Sequence, residues 1–276
     1  MSSRVTYNLL TFNKFSLSYK RLGCGEKILI AFHGFDQNAS IWRNFENSLG
    51  KKYTIYSFNH FFHGSGHYPA DRIDHNTMTK KELFELIEYF LEEKKIHRFS
   101  IAGYSLGGRI SLTLIEYFAN RLDEAWLFAP DGLTQNFWYK FASSTKTGRE
   151  LYKQIMRNPN IFFSLVRGVK KVRFISQKTG DFVINQMATY EKRLLVYNTW
   201  MAYRHIMPNL REVARLIDSH AVDTHLFLGK YDFIFPPRMA KKIPAKKNLK
   251  VHIVESGHNL FTASIEKVIK QIIGYS

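Results

Sequence analysis

A chain of 276 residues exceeds the usual domain size, yet a single α/β domain of about this length is ordinary. With 45% apolar and 15% aromatic residues but only 16 Gly and 7 Pro, it can bury a sizeable core, which excludes disordered, collagen-like and low-complexity classes. Forty Lys and Arg against 23 Asp and Glu leave a net +17 that attracts anionic partners, and the single cysteine, Cys24, excludes an internal disulfide framework. Residues 1–10 are polar and mixed, without the charged start and apolar stretch of a signal peptide, so the chain is read as unprocessed and cytoplasmic. No run of about 18 apolar residues suggests a membrane span.

Residues 7–22 alternate loosely and predict an antiparallel hairpin at a sheet edge. Continuous apolar runs at 27–33 and 53–58 suit strands buried on both faces. Residues 79–95 predict a helix: Leu83, Leu86, Ile87, Phe90 and Leu91 share one face, and Thr79 with Glu82 has capping-box spacing. Further strands are expected at 99–103 and 125–129, with a helix between them after Ser105. From about 133 to 222 the pattern is helical and aromatic, without a convincing strand. The rhythm resumes with strands at 224–228 and 251–254 and a helix after His258, with Phe261, Ile265, Val268, Ile269 and Ile272 on one face. The expected fold is α/β: a doubly wound, mostly parallel sheet built from 1–132 and 223–276, with 133–222 as an inserted helical cap. No repeat is present.

Gly103-Tyr104-Ser105-Leu106-Gly107 lies between a predicted strand and a predicted helix, the context of a nucleophile elbow. So tight a turn needs residues without bulk two before and two after the serine. At the helix start, the Leu106 amide faces any oxyanion formed on an acyl group that Ser105 attacks. A serine needs a base and an orienting carboxylate. His258, in Ser256-Gly257-His258-Asn259, follows the last strand, where Gly257 is expected to let the backbone carry the imidazole over the sheet edge. Asp232, in Gly229-Lys230-Tyr231-Asp232, follows the preceding strand. Asp131, in Ala129-Pro130-Asp131-Gly132, is the alternative acid. The histidines at 60, 63, 67 and 75 match no zinc template, so no metal is expected. His60 and Phe61 are expected to line the pocket.

On these motifs the chain resembles the α/β-hydrolases of the esterase, lipase and peroxidase-like group, from about residue 20 onward. His33-Gly34-Phe35 is similar to that family's oxyanion motif. The resemblance implies a second oxyanion amide from Phe35, a bracing role for His33, and a triad of Ser105, Asp232 and His258 acting through an acyl-enzyme. A serine at the elbow argues against the dehalogenases and epoxide hydrolases, which attack with a carboxylate. The chain departs from the family at Asn59-His60-Phe61-Phe62-His63-Gly64-Ser65-Gly66-His67, where relatives carry Asp-x-x-Gly-x-Gly-x-Ser.

The expected activity is hydrolysis of a carboxylic ester, of a lipid or other small amphipathic acyl compound. The same triad also serves carbon–carbon, thioester or peracid chemistry, and a binding protein on a hydrolase scaffold is the alternative from another class. Between 133 and 222 lie 15 Lys and Arg against 5 Asp and Glu, a net +10. Arg167, Lys170, Lys171 and Arg173, interleaved with apolar residues from Ile161 to Ile175, form a basic amphipathic stretch that suits either a solvated helix face or an anionic membrane surface. Phe137, Trp138, Tyr139, Phe141, Phe162, Phe163, Tyr197, Trp200 and Tyr203 either pack helices together or form an acyl pocket. No dinucleotide, phosphate-loop or nucleic-acid motif is found, so neither a cofactor nor a nucleic-acid partner is expected. Oligomeric state is not legible.

Overall fold

The computed structural model describes residues 7–134, 137–171 and 176–274. The chain opens with β1 (Asn8–Phe12) and β2 (Phe15–Leu22), a hairpin turned at Asn13, whose φ of 52° a short polar residue tolerates. There follow β3 (Lys27–Phe32), the short α1 (Leu49–Lys52), β4 (Tyr53–Phe58), α2 (Lys80–Glu93), β5 (Phe99–Tyr104), α3 (Leu106–Phe118) and β6 (Leu122–Phe128). Helices α4 (Phe137–Ser144), α5 (Lys146–Arg157), α6 (Asn160–Lys171), α7 (Gln177–Gln186), α8 (Tyr190–Ala202) and α9 (Leu210–Ser219) precede β7 (Asp223–Gly229), β8 (Leu249–Val254) and α10 (Ala263–Ile273).

Among the described residues, eight strands form one sheet in the order β1-β2-β4-β3-β5-β6-β7-β8. The β1–β2 and β2–β4 pairings are antiparallel and the others parallel, so the fold is the expected doubly wound, mostly parallel sheet with its hairpin at one edge. Period 2 sends alternate side chains to opposite faces. Leu29, Ala31, Tyr53, Ile55, Trp126 and Phe128 join a core with Trp42, Phe45, Phe261, Ile265 and Ile269. The other face packs on α2 and α3: Phe90 lies edge-on to Tyr19, Tyr56 and Phe58, and Phe118 lies against Phe99. Helix α2 starts at the expected capping box, Thr79 accepting from the Glu82 amide and Glu82 from that of Thr79. Strand β8 is less enclosed than its composition suggests; it is the sheet edge, and Val251 and Ile253 are exposed.

The chain divides into a larger unit of residues 1–69, 78–134 and 206–276, and a smaller one of 70–77 and 135–205. The bounds of the smaller unit depart from 133–222 in two ways. Helix α9 belongs to the larger unit, because Val213, Ala214 and Ile217 are buried and the helix packs along α3. Residues 70–77 belong to the smaller unit, held by three side chains. Tyr197 donates to Asp74, Lys153 pairs with Asp74 at 2.9 Å, and Arg204 donates to the carbonyls of Ile73 and Asp74 at 3.3 and 3.2 Å. Within that unit α5, α7 and α8 start at Thr145, Ser176 and Thr189, each accepting an otherwise unpaired amide of the first turn. Buried Arg193 donates to the carbonyls of Met187 and Met156. Among the described residues no helix is long and apolar enough to cross a membrane.

Candidate active site

Ser105 joins β5 to α3 with φ 52° and ψ −113°, a conformation that a residue with a Cβ adopts only under constraint. The constraint is visible on both sides. Its amide donates to the Phe128 carbonyl at 2.9 Å, and its carbonyl accepts from the Asp131 amide at 2.8 Å. The flanking glycines are steric necessities. A Cβ on Gly103 would lie 2.3 Å from the Gly107 carbonyl oxygen, and one on Gly107 would lie 2.2 Å from that of Phe32. As the first residue of α3, Leu106 has an amide with no intrahelical acceptor, aimed along the positive end of the helix dipole.

The Gly107 amide donates to the His33 carbonyl at 3.0 Å, which fastens the loop after β3 to the first turn of α3. Gly34 lies against the Tyr104 ring, 2.7 Å from where its Cβ would stand, and donates to Gln37 Oε1 at 3.0 Å. Phe35 follows directly. Beneath this loop His33, His60 and His63 cluster in tilted and edge-on contacts, with ring centroids 4.1 to 5.7 Å apart. His33 donates from Nδ1 to the Gly34 carbonyl and accepts the His60 amide at Nε2, so its neutral tautomer is defined. His60 returns a bond from Nε2 to the His33 carbonyl at 2.5 Å. Burial, then the neighbouring rings, hold His33 well below the usual imidazole range and His60 at about 3. His63 is lowered too, again chiefly by burial.

The loops after β7 and β8 carry Asp232 and His258. Asp232 is 2% exposed; its Oδ2 accepts the Nδ1 proton of His258 at 2.8 Å, and its Oδ1 accepts the amides of Ile234 and Phe235 at 2.8 and 2.9 Å. Burial pushes its pKa upward, but the His258 bond, the His258 charge and the two amides together hold it below the usual carboxylate value. With Nδ1 donating, Nε2 of His258 is left as the acceptor. The imidazole lies between Phe235 and Tyr104, and the Tyr104 hydroxyl donates to the His258 carbonyl at 2.9 Å. Burial and the Asp232 charge push the Tyr104 phenol up, so it remains a neutral donor.

The other expected residues fall as follows. Asp131 is paired with Arg109 and accepts the Gly132 amide at 2.7 Å, so its carboxylate is committed away from His258. Gly257 is not the close-approach residue: a Cβ there meets nothing within 4 Å, whereas one on Gly229 would lie 2.1 Å from the Gly257 carbonyl oxygen. His60 and Phe61 are buried instead of lining a pocket. Phe61 packs between Phe15 and Tyr68, and His60 supports the loop at 33–35. His67 pairs through its backbone with Ser16, and His75 lies in the smaller unit. Among the described residues no three His, Cys, Asp or Glu side chains form a metal-binding group. In the smaller unit Tyr139, Tyr152, Tyr197 and Trp200 pack on one another. The side chains of Phe137 and Trp138, and residues 172–175 with Arg173, lie outside the described residues.

An order β1-β2-β4-β3-β5-β6-β7-β8, with a strained serine after β5 and an Asp–His pair after β7 and β8, coincides with a direct match: residues 27–262 fit the family model of the alpha/beta hydrolase fold. The chain belongs to the α/β-hydrolase fold family. Among solved α/β-hydrolase-like structures it is similar to a hydrolase from Pseudomonas aeruginosa PA01, at 16% identity and TM-score 0.67 over 99% of this chain and 100% of that one. It is also similar to a thermophilic esterase from Thermogutta terrifontis, at 14% identity and TM-score 0.64 over 98% and 97%. An enol-lactonase from Burkholderia xenovorans LB400 aligns at 15% identity and TM-score 0.64 over 97% and 98%. An uncharacterised protein of Mycobacterium tuberculosis is 24% identical over 144 residues, 50% of this chain and 39% of its own length. The chain thus spans about two fifths of the length of the curated relatives it matches.

Three contributors to this candidate site are not legible in the sequence. Tyr104 ties the loop of His258 to the residue before Ser105, Arg109 occupies Asp131, and His63 stands edge-on to Phe35. Tyr104 lies inside the elbow motif, but nothing in a motif says where a side chain points.

Proposed function

We propose that the chain is a serine hydrolase that cleaves carboxylic esters through an acyl-enzyme on Ser105. The observation that carries this reading is the His258–Asp232 hydrogen bond of 2.8 Å, because it leaves a histidine acceptor nitrogen in the larger unit that also holds the elbow serine. His258 Nε2 takes the Ser105 proton as Oγ attacks the ester carbonyl. The amides of Leu106 and Phe35 stabilise the oxyanion, and Asp232 stabilises the imidazolium. Collapse expels the alcohol, which receives the proton from His258. Water, deprotonated by His258, then attacks the acyl-enzyme, and the carboxylic acid leaves as Ser105 regains its proton.

The esterase and the enol-lactonase among its fold neighbours agree with ester chemistry. The test is fluorescent fluorophosphonate labelling of wild type, Ser105→Ala and His258→Ala, alongside turnover of p-nitrophenyl esters of graded acyl length. Labelling and turnover in the wild type alone are expected. A folded wild type that neither labels nor turns over any ester overturns the proposal.

A further inference from the structure

The smaller unit carries charge and apolar exposure that the proposed chemistry does not use. Residues 135–205 hold 13 Lys and Arg against 3 Asp and Glu, so this quarter of the chain carries most of the net +17. Helix α6 is apolar on two sides. Val166 is buried, with Phe162 and Phe163 half-buried, while on the adjoining face Ile161 is 77% and Leu165 is 65% exposed. Ile161, Leu165 and Gly168 lie at i, i+4 and i+7, one above the other, and a Cβ on Gly168 would meet nothing within 4 Å. Single exposed aliphatic residues are ordinary on protein surfaces; two on successive turns of one helix form a stripe. The helices that pack on α6 continue the pattern, since Leu151 on α5 and Phe182 on α7 are also exposed.

The flank of the stripe is cationic. Arg167 and Lys171 follow the apolar residues around α6, Arg157 ends α5 and Lys178 opens α7; all four are exposed. Among the described residues none of the four has an acidic partner, unlike Lys170, which pairs with Asp181. Unpaired cations beside an apolar stripe match the two layers of an anionic bilayer surface, phosphate outside and acyl chain beneath. A nucleic acid would match the cations but leave Ile161 and Leu165 in water, and an acidic protein would require a partner that covers both.

We propose that the α6 face, Ile161 and Leu165 flanked on one side by Lys171 and Arg167, docks the protein peripherally on anionic lipid surfaces. Docking is independent of the Ser105 chemistry, so the two proposals stand or fall separately. The aliphatic pair enters the headgroup boundary and the cations face the lipid phosphates. The experiment is cosedimentation of the full chain with vesicles of phosphatidylcholine alone and of phosphatidylcholine mixed with phosphatidylglycerol, at low and high salt. Binding is expected only to the mixed vesicles and is weakened by salt. Each of Arg167→Gln and Lys171→Gln lowers the affinity about fivefold. The double substitution Ile161→Asp with Leu165→Asp abolishes binding, while turnover of a water-soluble short-chain ester and the melting temperature stay at wild-type values.

Wild-type protein that fails to sediment with the mixed vesicles, or variants that sediment as well as wild type, overturns the proposal. So does a wild-type dimer, seen by light scattering, that the double substitution dissolves, because the stripe is then an interface between two copies.

Discussion

Ser105 at φ 52° carries strain of about 1 to 3 kcal/mol, held by its bonds to Phe128 and Asp131. Glycine adopts this backbone without penalty, so Ser105→Gly should be about 1 kcal/mol more stable than wild type in urea while lacking turnover. A lowered midpoint would show that the elbow is not strained. The two candidate acids separate in the same way. Asp232→Asn should lower kcat by about a thousandfold or more, because it removes the acceptor that sets the His258 tautomer. Asp131→Asn should leave kcat nearly intact but cost about 3 kcal/mol of stability, since Arg109, with a side chain only 7% exposed, loses its counter-ion. Equal kcat losses in both variants would contradict the assignment. At the loops beyond β7 and β8, Gly229→Ala should destabilise severely and Gly257→Ala should be tolerated, as thermal melts of the two will show.

Elements whose causes are local could be read before the fold was known. The cap of α2 is one: Thr79 and Glu82 are three residues apart, and Thr79→Ala should cost about 1 kcal/mol in thermal or urea unfolding. The elbow is another, since two glycines spaced about a serine between a strand and a helix already describe the turn. Asp232 and His258 were legible because strand ends gather at one edge of a parallel sheet, whatever the intervening loops do. Elements placed by distant contacts were not legible. Helix α9 looks like its helical predecessors, and only packing against α3 assigns it to the larger unit. His60 and Phe61 are adjacent polar and aromatic residues in a loop, and the bonds and rings that turn them inward come from Phe15, His33 and Tyr68.

At the scale of the whole molecule, the buried histidines make stability depend on pH. His33, His60 and His63 take up protons less readily in the fold than in the unfolded chain, where imidazoles titrate near about 6.5. Their contribution is complete above that value and is lost as pH falls, down to about 3 for His60. Each removes up to about 1.4 kcal/mol per pH unit within its window. Asp232 acts in the same direction at lower pH, losing its contribution as pH falls through its depressed folded pKa. Urea midpoints measured from neutral pH down to the acid limb should fall steadily, and His60→Gln should flatten the slope even where it lowers the midpoint. An unchanged slope would remove His60 from the account.

The bond from Tyr197 to Asp74 spans 123 residues, and those from Arg204 to the carbonyls of Ile73 and Asp74 span 131 and 130. On a ribosome adding about 5 to 20 residues per second, residues 70–77 therefore emerge roughly 6 to 25 seconds before Tyr197 and Arg204, with Lys153 reaching Asp74 sooner. All of β5 and β6 is made in that interval, so the strands that frame Ser105 exist while residues 70–77 still lack their partners. The smaller unit closes these bonds once Arg204 has been made, before α9, β7, β8 and α10 complete the larger unit, and a nascent chain stalled before Lys153 should be cut by protease at 70–77 when the finished protein is not.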